Sequence, residues 1–447
     1  MAIDPAQATE RGPTRTQWAI SSLAGMGALL DGYDLSVIGF GVVLAAGTFG
    51  FSAKADPLLY SMVLTSALVG MAVGSLLFGW LADRIGRKTA FSADLLFFVV
   101  FALLSAFSQN VYELITFRLL MGIGIGGDYP VSSTLISEFA PRNSRGRLLM
   151  YGIMFYWVGT LAAGVVNYFA LGMGASIAWR AALAAGGIIA IPVVVARNVA
   201  PESPRWLMSK NRSVEAEAIS TRVSGTKELA PAAGSYDFSE LFRKYRRQIL
   251  FVTLTWFSFD VGAYGLGFYS ATLYSLYGIK SLAEIALFGA ISAPFPILAY
   301  LVLMKYVDVW GRRIPSIAGF AVMTGVLATL PTLLRINAIF LLPLFILYSS
   351  LEQWPGGIFS FGYSVELFPT TLRARAQGIG TAVSRIGAII GTLFFLPIAA
   401  HGLVYGTLFF EAFIILALLL TLAFAPEIKR NELEEVAGEL PASPDSS

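Results

Sequence analysis

The 447-residue chain has no cysteine and a single histidine, His401. Disulfides, thiol nucleophiles and cysteine-ligated metals are therefore excluded, and one imidazole is too few for a zinc or haem site. Charge is also scarce. Asp, Glu, Lys and Arg make up 13% of the residues, hydrophobic residues 56%, and the mean hydropathy is +0.70. An average soluble domain carries roughly 25% charged residues, so most of this chain has lipid as its solvent. No nucleophile, metal or cofactor constellation is present, and no nucleic-acid motif. These absences argue against an enzyme, against a cofactor and against a nucleic-acid partner.

What the chain has in quantity is long apolar runs. A helix that crosses a bilayer needs about 20 mostly apolar residues. Twelve such runs can be drawn: 17–48, 57–82, 88–108, 110–139, 147–172, 177–198, 248–276, 282–307, 313–334, 336–368, 376–400 and 402–425. Open strands cannot satisfy their backbone in lipid, so the runs are read as helices. The first follows a polar, Arg-containing start, and it is too long and too polar inside to be a cleaved signal peptide. Of the 31 Lys and Arg, Lys54, Arg180, Lys280 and Arg335 fall in odd-numbered loops and Arg118 and Arg385 inside helices. The rest lie in the termini and even-numbered loops. That bias predicts an integral, multi-pass protein of the cell membrane with both termini cytoplasmic. It also explains the net charge of +3 as topology and contact with anionic lipid.

The two halves repeat one charged skeleton. Asp83, Gly86 and Arg87 in GWLADRIGRK recur 225 residues later as Asp308, Gly311 and Arg312 in YVDVWGRR. Glu138 precedes Arg145 in SEFAPRNSRGR as Glu366 precedes Arg373 in VELFPTTLRAR, by seven residues each time. Such a period predicts a duplicated bundle with the substrate site between its halves. The expected architecture is an all-α membrane protein of twelve transmembrane helices in two pseudo-symmetric six-helix bundles. Residues 1–198 would form the N-terminal bundle, 199–247 a cytoplasmic linker, 248–425 the C-terminal bundle and 426–447 a solvated cytoplasmic tail rich in Glu and Pro.

GWLADRIGRK, its weaker copy at 305–313 and PESPRWL at 201–207 closely resemble signatures of the major facilitator superfamily, and the resemblance covers nearly the whole chain. It implies alternating access. Asp83, Arg87, Glu138, Arg145 and Arg205, with Asp308, Arg312, Glu366 and Arg373, would form a cytoplasmic latch that pairs in one conformation and separates in the other.

Ionisable residues inside the spans are costly and mark cavities or partners. Asp31, Asp34, Asp128, Asp260, Arg118 and Arg385 qualify. RLLMGIGIGGDYPVSS in helix four resembles phosphate:proton symporters, which implies proton and phosphate contacts at Asp128 and Tyr129. Trp256, Asp260 and Tyr264 reproduce the helix-seven pattern of that family and lie along one helical stripe. The pattern departs where that family's helix-five glutamine meets Tyr156, its helix-ten asparagine Gly357 and its helix-eleven lysine Arg385. Arginine keeps the positive charge and adds a fork suited to a carboxylate or a phosphate. SRIG, at 384–387, also resembles organic-anion members of the metabolite:proton symporters.

A competing resemblance is to sugar porters. GYDLSVIGFGV in helix one looks like their opening, with Asp34 and Arg118 matching their proton-sensitive acid and arginine, whereas Ile153 stands where they carry glutamine. Gln353 precedes Trp354, Pro355, Gly356 and Gly357, a break at which helix ten can bend, and is a substrate-contact candidate. Asp94 and Glu411 have no motif context and are set aside.

The resulting expectation is proton-coupled symport of a small anion, phosphate or an organic acid. Asp31, Asp34, Asp128, Asp260 and Arg118 would handle protons, while Tyr129, Tyr156, Trp256, Asp260, Tyr264, Gln353 and Arg385 would meet the substrate. The alternatives are a proton-coupled sugar carrier using Asp34 and Arg118, and a non-transporting nutrient sensor. Membrane lipid, protons and a small solute are the expected partners, and one bundle of twelve spans is expected to function as a monomer.

Overall fold

The structure is a computed structural model that describes residues 12–224, 237–269, 281–431 and 433–438. Among the described residues, twelve helical segments carry the long apolar runs. The first six are α1 (Arg15–Phe49), α2 (Pro57–Ile85), α3 (Arg87–Ala106), α4 (Val111–Phe139), α5 (Arg145–Ala170) and α6 (Ala175–Arg197). The second six are α7 (Arg246–Phe268), α8 (Leu282–Trp310), α9 (Arg313–Ile336), α10 (341–366), α11 (Arg373–Ala399) and α12 (Leu403–Phe424).

Nine of the spans among the described residues are long and apolar enough to cross a bilayer on hydropathy alone. The other three are α4, α7 and α10, which carry Arg118 with Asp128, Asp260, and a broken axis. The expected helix over 336–368 is five pieces: a 3-10 turn Ala338–Phe340, then Leu341–Leu351, Gln353–Gly357, a π-helical turn Ile358–Tyr363, and Ser364–Glu366. A π-helical turn widens the helix and turns backbone carbonyls aside, an arrangement frequent at functional sites. Helix seven was expected to reach residue 276, but its last stretch lies outside the described residues.

Helices approach closely where they carry glycine. A Cβ on Gly74 of α2 would run into the carbonyl of Ile123, and one on Gly126 of α4 into the backbone of Met71. Small residues replace the hydrophobic driving force that lipid removes.

The even-numbered loops gather at one end of the bundle, the charged end, where the repeat becomes a symmetric seal. Arg87 pairs with Asp83 at 2.9 Å and Glu138 at 3.2 Å; Arg312 pairs with Asp308 at 3.3 Å and Glu366 at 2.7 Å. Gly86 and Gly311 adopt positive φ, 107° and 82°, at the turns into α3 and α9. Glu202 then accepts the amide of Arg87, and Glu427 that of Arg312, both at 2.9 Å. A side chain on either glycine would strike that carboxylate. Each glutamate caps a helix N-terminus, where negative charge is favoured.

Other contacts cross between the halves. Arg373 reaches Glu138 at 3.1 Å, and Arg87 donates to the carbonyl of Thr370 at 3.0 Å. Asp308 accepts the amides of Gly146 and Arg147 at 2.9 and 3.0 Å, capping α5, while Asp83 accepts that of Arg375 near the start of α11. Arg205, in the helix Pro204–Ser209, donates to the carbonyl of Glu138, and Arg145 to that of Asn431. The expected solvated tail is corrected by this last contact. Ile428, Leu433 and Ala437 are buried, so the tail's first part packs onto the charged end.

The molecule is thus shut at the charged end. Arg373→Ala removes one bond between the halves while leaving Glu138 compensated by Arg87. With spin labels at Lys88→Cys and Lys429→Cys in this cysteine-free chain, the variant is expected to gain a population of longer distances; an unchanged distribution would contradict the latch.

Candidate functional site: a central aromatic cavity

Between the halves, on the far side of the seal, lies a cavity of ≈ 200 Å³ with more apolar than polar lining. Helices α4 and α5 contribute Tyr129 and Tyr156, α7 contributes Trp256, Asp260 and Tyr264, α10 contributes Glu352 and Gln353, and α11 contributes Arg385. The i, i+4, i+8 stripe expected on α7 therefore does face a cavity.

Arg385 is the centre of the arrangement. Its Nη1 donates to Asp260 Oδ2 at 2.9 Å and to the Tyr264 hydroxyl at 2.7 Å. Its guanidinium carbon sits 4.9 Å from the ring centroids of both Tyr129 and Tyr264. Aromatic faces stabilise a desolvated guanidinium without consuming its hydrogen-bond donors. Arg385 Nε accordingly remains without a hydrogen-bond partner although it is buried. Asp31 lies behind this group, accepting from the Tyr129 hydroxyl at 2.7 Å, with its other carboxylate oxygen unpartnered.

The other intramembrane charges expected at the site do not line the cavity. Arg118 grips Asp34 with both terminal nitrogens, at 3.0 and 2.9 Å, and both residues are buried within the N-terminal half. Asp128 also points away. It meets Arg197 at 2.6 Å and Ser132 at 2.9 Å, and Arg197 further contacts Asp94 at 3.3 Å while lying 3.7 Å over the Phe91 ring. Gly27 gives this group room, since a Cβ there would collide with Asp128. Gln353 does line the cavity, but its amide nitrogen is spent on the carbonyl of Ser349 at 2.6 Å.

Three residues outside the expected site set have a place in this arrangement. Arg197 is not among the candidates and Asp94 is set aside; the structure makes the two a fully buried pair. Glu352 lines the cavity, and its signal was an acid in an apolar run just before Trp-Pro-Gly-Gly.

Comparison with known proteins agrees with this geometry. The model of the "Sugar (and other) transporter" family matches residues 20–440. The chain belongs to that family. This transporter is 30% identical over 426 residues to the putative niacin/nicotinamide transporter NiaP of Bacillus subtilis (strain 168), covering 94% of this chain and 98% of the relative. It is 28% identical over 494 residues to an inorganic phosphate transporter of Saccharomyces cerevisiae, covering 93% and 83%. Its fold matches a solved proton:xylose symporter of the major facilitator superfamily with a TM-score of 0.80 at 23% identity, covering 95% of this chain and 98% of that one. The protein is a transporter with the fold of that symporter, and not an enzyme.

Removing one partner of a buried ion group costs about 3–5 kcal/mol, because the remaining charge is stranded. Arg197→Met, which leaves Asp94 and Asp128 facing each other, is expected to lower the melting temperature in detergent markedly. Asp94→Asn, which leaves the Arg197–Asp128 pair, should lower it far less. Equal losses would contradict the proposed charge balance.

Proposed function

We propose that the protein is a proton-coupled symporter of a small organic anion, a carboxylate with an aromatic or otherwise apolar body. The observation that carries this reading is Arg385, a buried guanidinium at the cavity wall with an unused Nε and tyrosine rings against its faces. A guanidinium fork matches a carboxylate, and the aromatic walls match a flat apolar body.

Coupling follows from competition. Asp260 already occupies one arm of Arg385. A substrate carboxylate arriving at the same guanidinium meets the ionised Asp260, and protonation of Asp260 removes that repulsion and frees the arm. Asp31, held by Tyr129 and within electrostatic reach of Arg385, is the second acid of the relay. Substrate and proton together then favour the closed intermediate, and release at the charged end requires the Arg87 and Arg312 networks to part. The positive-inside bias makes that end cytoplasmic in the cell membrane, and a single chain contains the whole pathway.

Phosphate fits less well. Among the described residues that line the cavity, Arg385 is the one Arg or Lys, and Tyr156 stands where the phosphate symporters it resembles carry an amide. The sugar alternative rests on Asp34 and Arg118, which close on each other away from the cavity. A neutral polyol needs amides, and among the described lining residues these are Asn167 and Gln353.

The test is counterflow of labelled nicotinate, phosphate and xylose in liposomes. Nicotinate exchange is expected to exceed the other two, to fall more than tenfold in Arg385→Ala, and to recover in part in Arg385→Lys. In Asp260→Asn, exchange should persist while accumulation driven by a proton gradient is lost. Xylose exchange insensitive to Arg385→Ala would overturn the anion reading.

A further inference from the structure

The cavity has a second pole. Glu352 sits at the break between Leu341–Leu351 and Gln353–Gly357 in α10, and it lines the cavity. The intramembrane acids described above each have a compensating group: Asp34 has Arg118, Asp94 and Asp128 share Arg197, Asp260 has Arg385, and Asp31 has the Tyr129 hydroxyl. Glu352 differs. Among the described residues no arginine or lysine pairs with it; Gln353 supplies a side-chain hydrogen bond, and the titratable groups that face it are Asp260, Tyr300, Tyr348 and Tyr156, none of them a cation. The Tyr348 hydroxyl, buried beside it, lacks a hydrogen-bond partner. Thus one wall of the cavity presents a guanidinium and another presents a carboxylate with no counter-charge, with aromatic rings between.

A carboxylate withdrawn from water without a counter-charge is a standing cost, and whatever brings a proton-bearing positive group to it recovers that cost on binding. Arg385 can be satisfied by the substrate's anionic end alone. Glu352 cannot, because a second anion would be repelled and an apolar group would leave it stranded.

We propose that Glu352 is a specificity-determining contact and that the substrate is amphoteric. Its carboxylate meets Arg385 while a basic nitrogen, of an amine or a heteroaromatic ring, holds a proton against Glu352. This inference rests on the anion reading above and narrows it from carboxylates in general to carboxylates that carry such a nitrogen. Simple aromatic acids are then weak ligands, and so are aromatic amines without a carboxylate, since each satisfies one pole and strands the other.

The test is binding to the purified protein, measured by titration calorimetry with benzoate, 3-methylbenzoate, nicotinate and 3-(aminomethyl)benzoate. In the wild type the two nitrogen-bearing acids are expected to bind at least tenfold more tightly than the two simple acids. In Glu352→Gln the ratio between 3-(aminomethyl)benzoate and 3-methylbenzoate should fall below threefold. Equal binding of all four by the wild type would overturn this proposal and leave the anion reading standing; that series suffices even where the variant does not fold. An undiminished ratio in Glu352→Gln would also overturn it. Absence of binding by all four would overturn the anion reading and this proposal with it.

Discussion

A charge inside a lipid-embedded bundle must be neutralised locally, and most of this structure is a solution to that constraint. The guanidinium groups of Arg87, Arg118, Arg197, Arg312, Arg373 and Arg385 are buried, and each meets a carboxylate. What separates them is whether the partner can be exchanged. Arg118 and Arg197 are closed off inside the N-terminal half, so they hold helices together. Arg87, Arg312 and Arg373 lie at the seam between the halves, in the charged networks that close one end of the molecule. Arg385 alone among these lines the cavity, where a ligand can take the partner's place.

The duplication extends further than the matching motifs. Glu202 and Glu427 stand 225 residues apart, each 115 residues beyond the arginine whose amide it accepts. Asp83 and Asp308 likewise receive amides from the opposite half, at the start of α11 and of α5. The two halves therefore seal each other with the same chemistry used twice, which suits a molecule whose halves rock as bodies about a common centre.

The helical spans, the repeat and the pairing of its charged residues were readable in the sequence because each rests on periodicity or on identical spacing. Trp256, Asp260 and Tyr264 were readable for the same reason, as a helical stripe with an acid at its centre. Arg197 was not, because a cation two residues from the end of an apolar run has the same local sequence whether it enters a loop or folds back onto Asp94 and Asp128. The division between Asp260, which lines the cavity, and Asp34, which is locked to Arg118, also escaped, since burial in lipid and burial in protein leave the same apolar flanks. Glu352 sat beside a Pro-Gly break that drew attention to Gln353, and only the packing of α10 shows that the acid lines the cavity with no cation paired to it among the described residues. Pro426 and Glu427 repeat Pro201 and Glu202, a signal present in the sequence that a reading of the tail by composition passes over.

The central claim is that an anion enters at Arg385 only together with a proton. The direct measurement is the lumenal pH of liposomes containing the wild-type protein, read by a trapped dye when nicotinate is added at equal pH on both sides and zero membrane potential. The account predicts that the lumen acidifies in step with labelled nicotinate entry, faster than in protein-free liposomes. Protein-dependent entry of nicotinate with no accompanying acidification would contradict it.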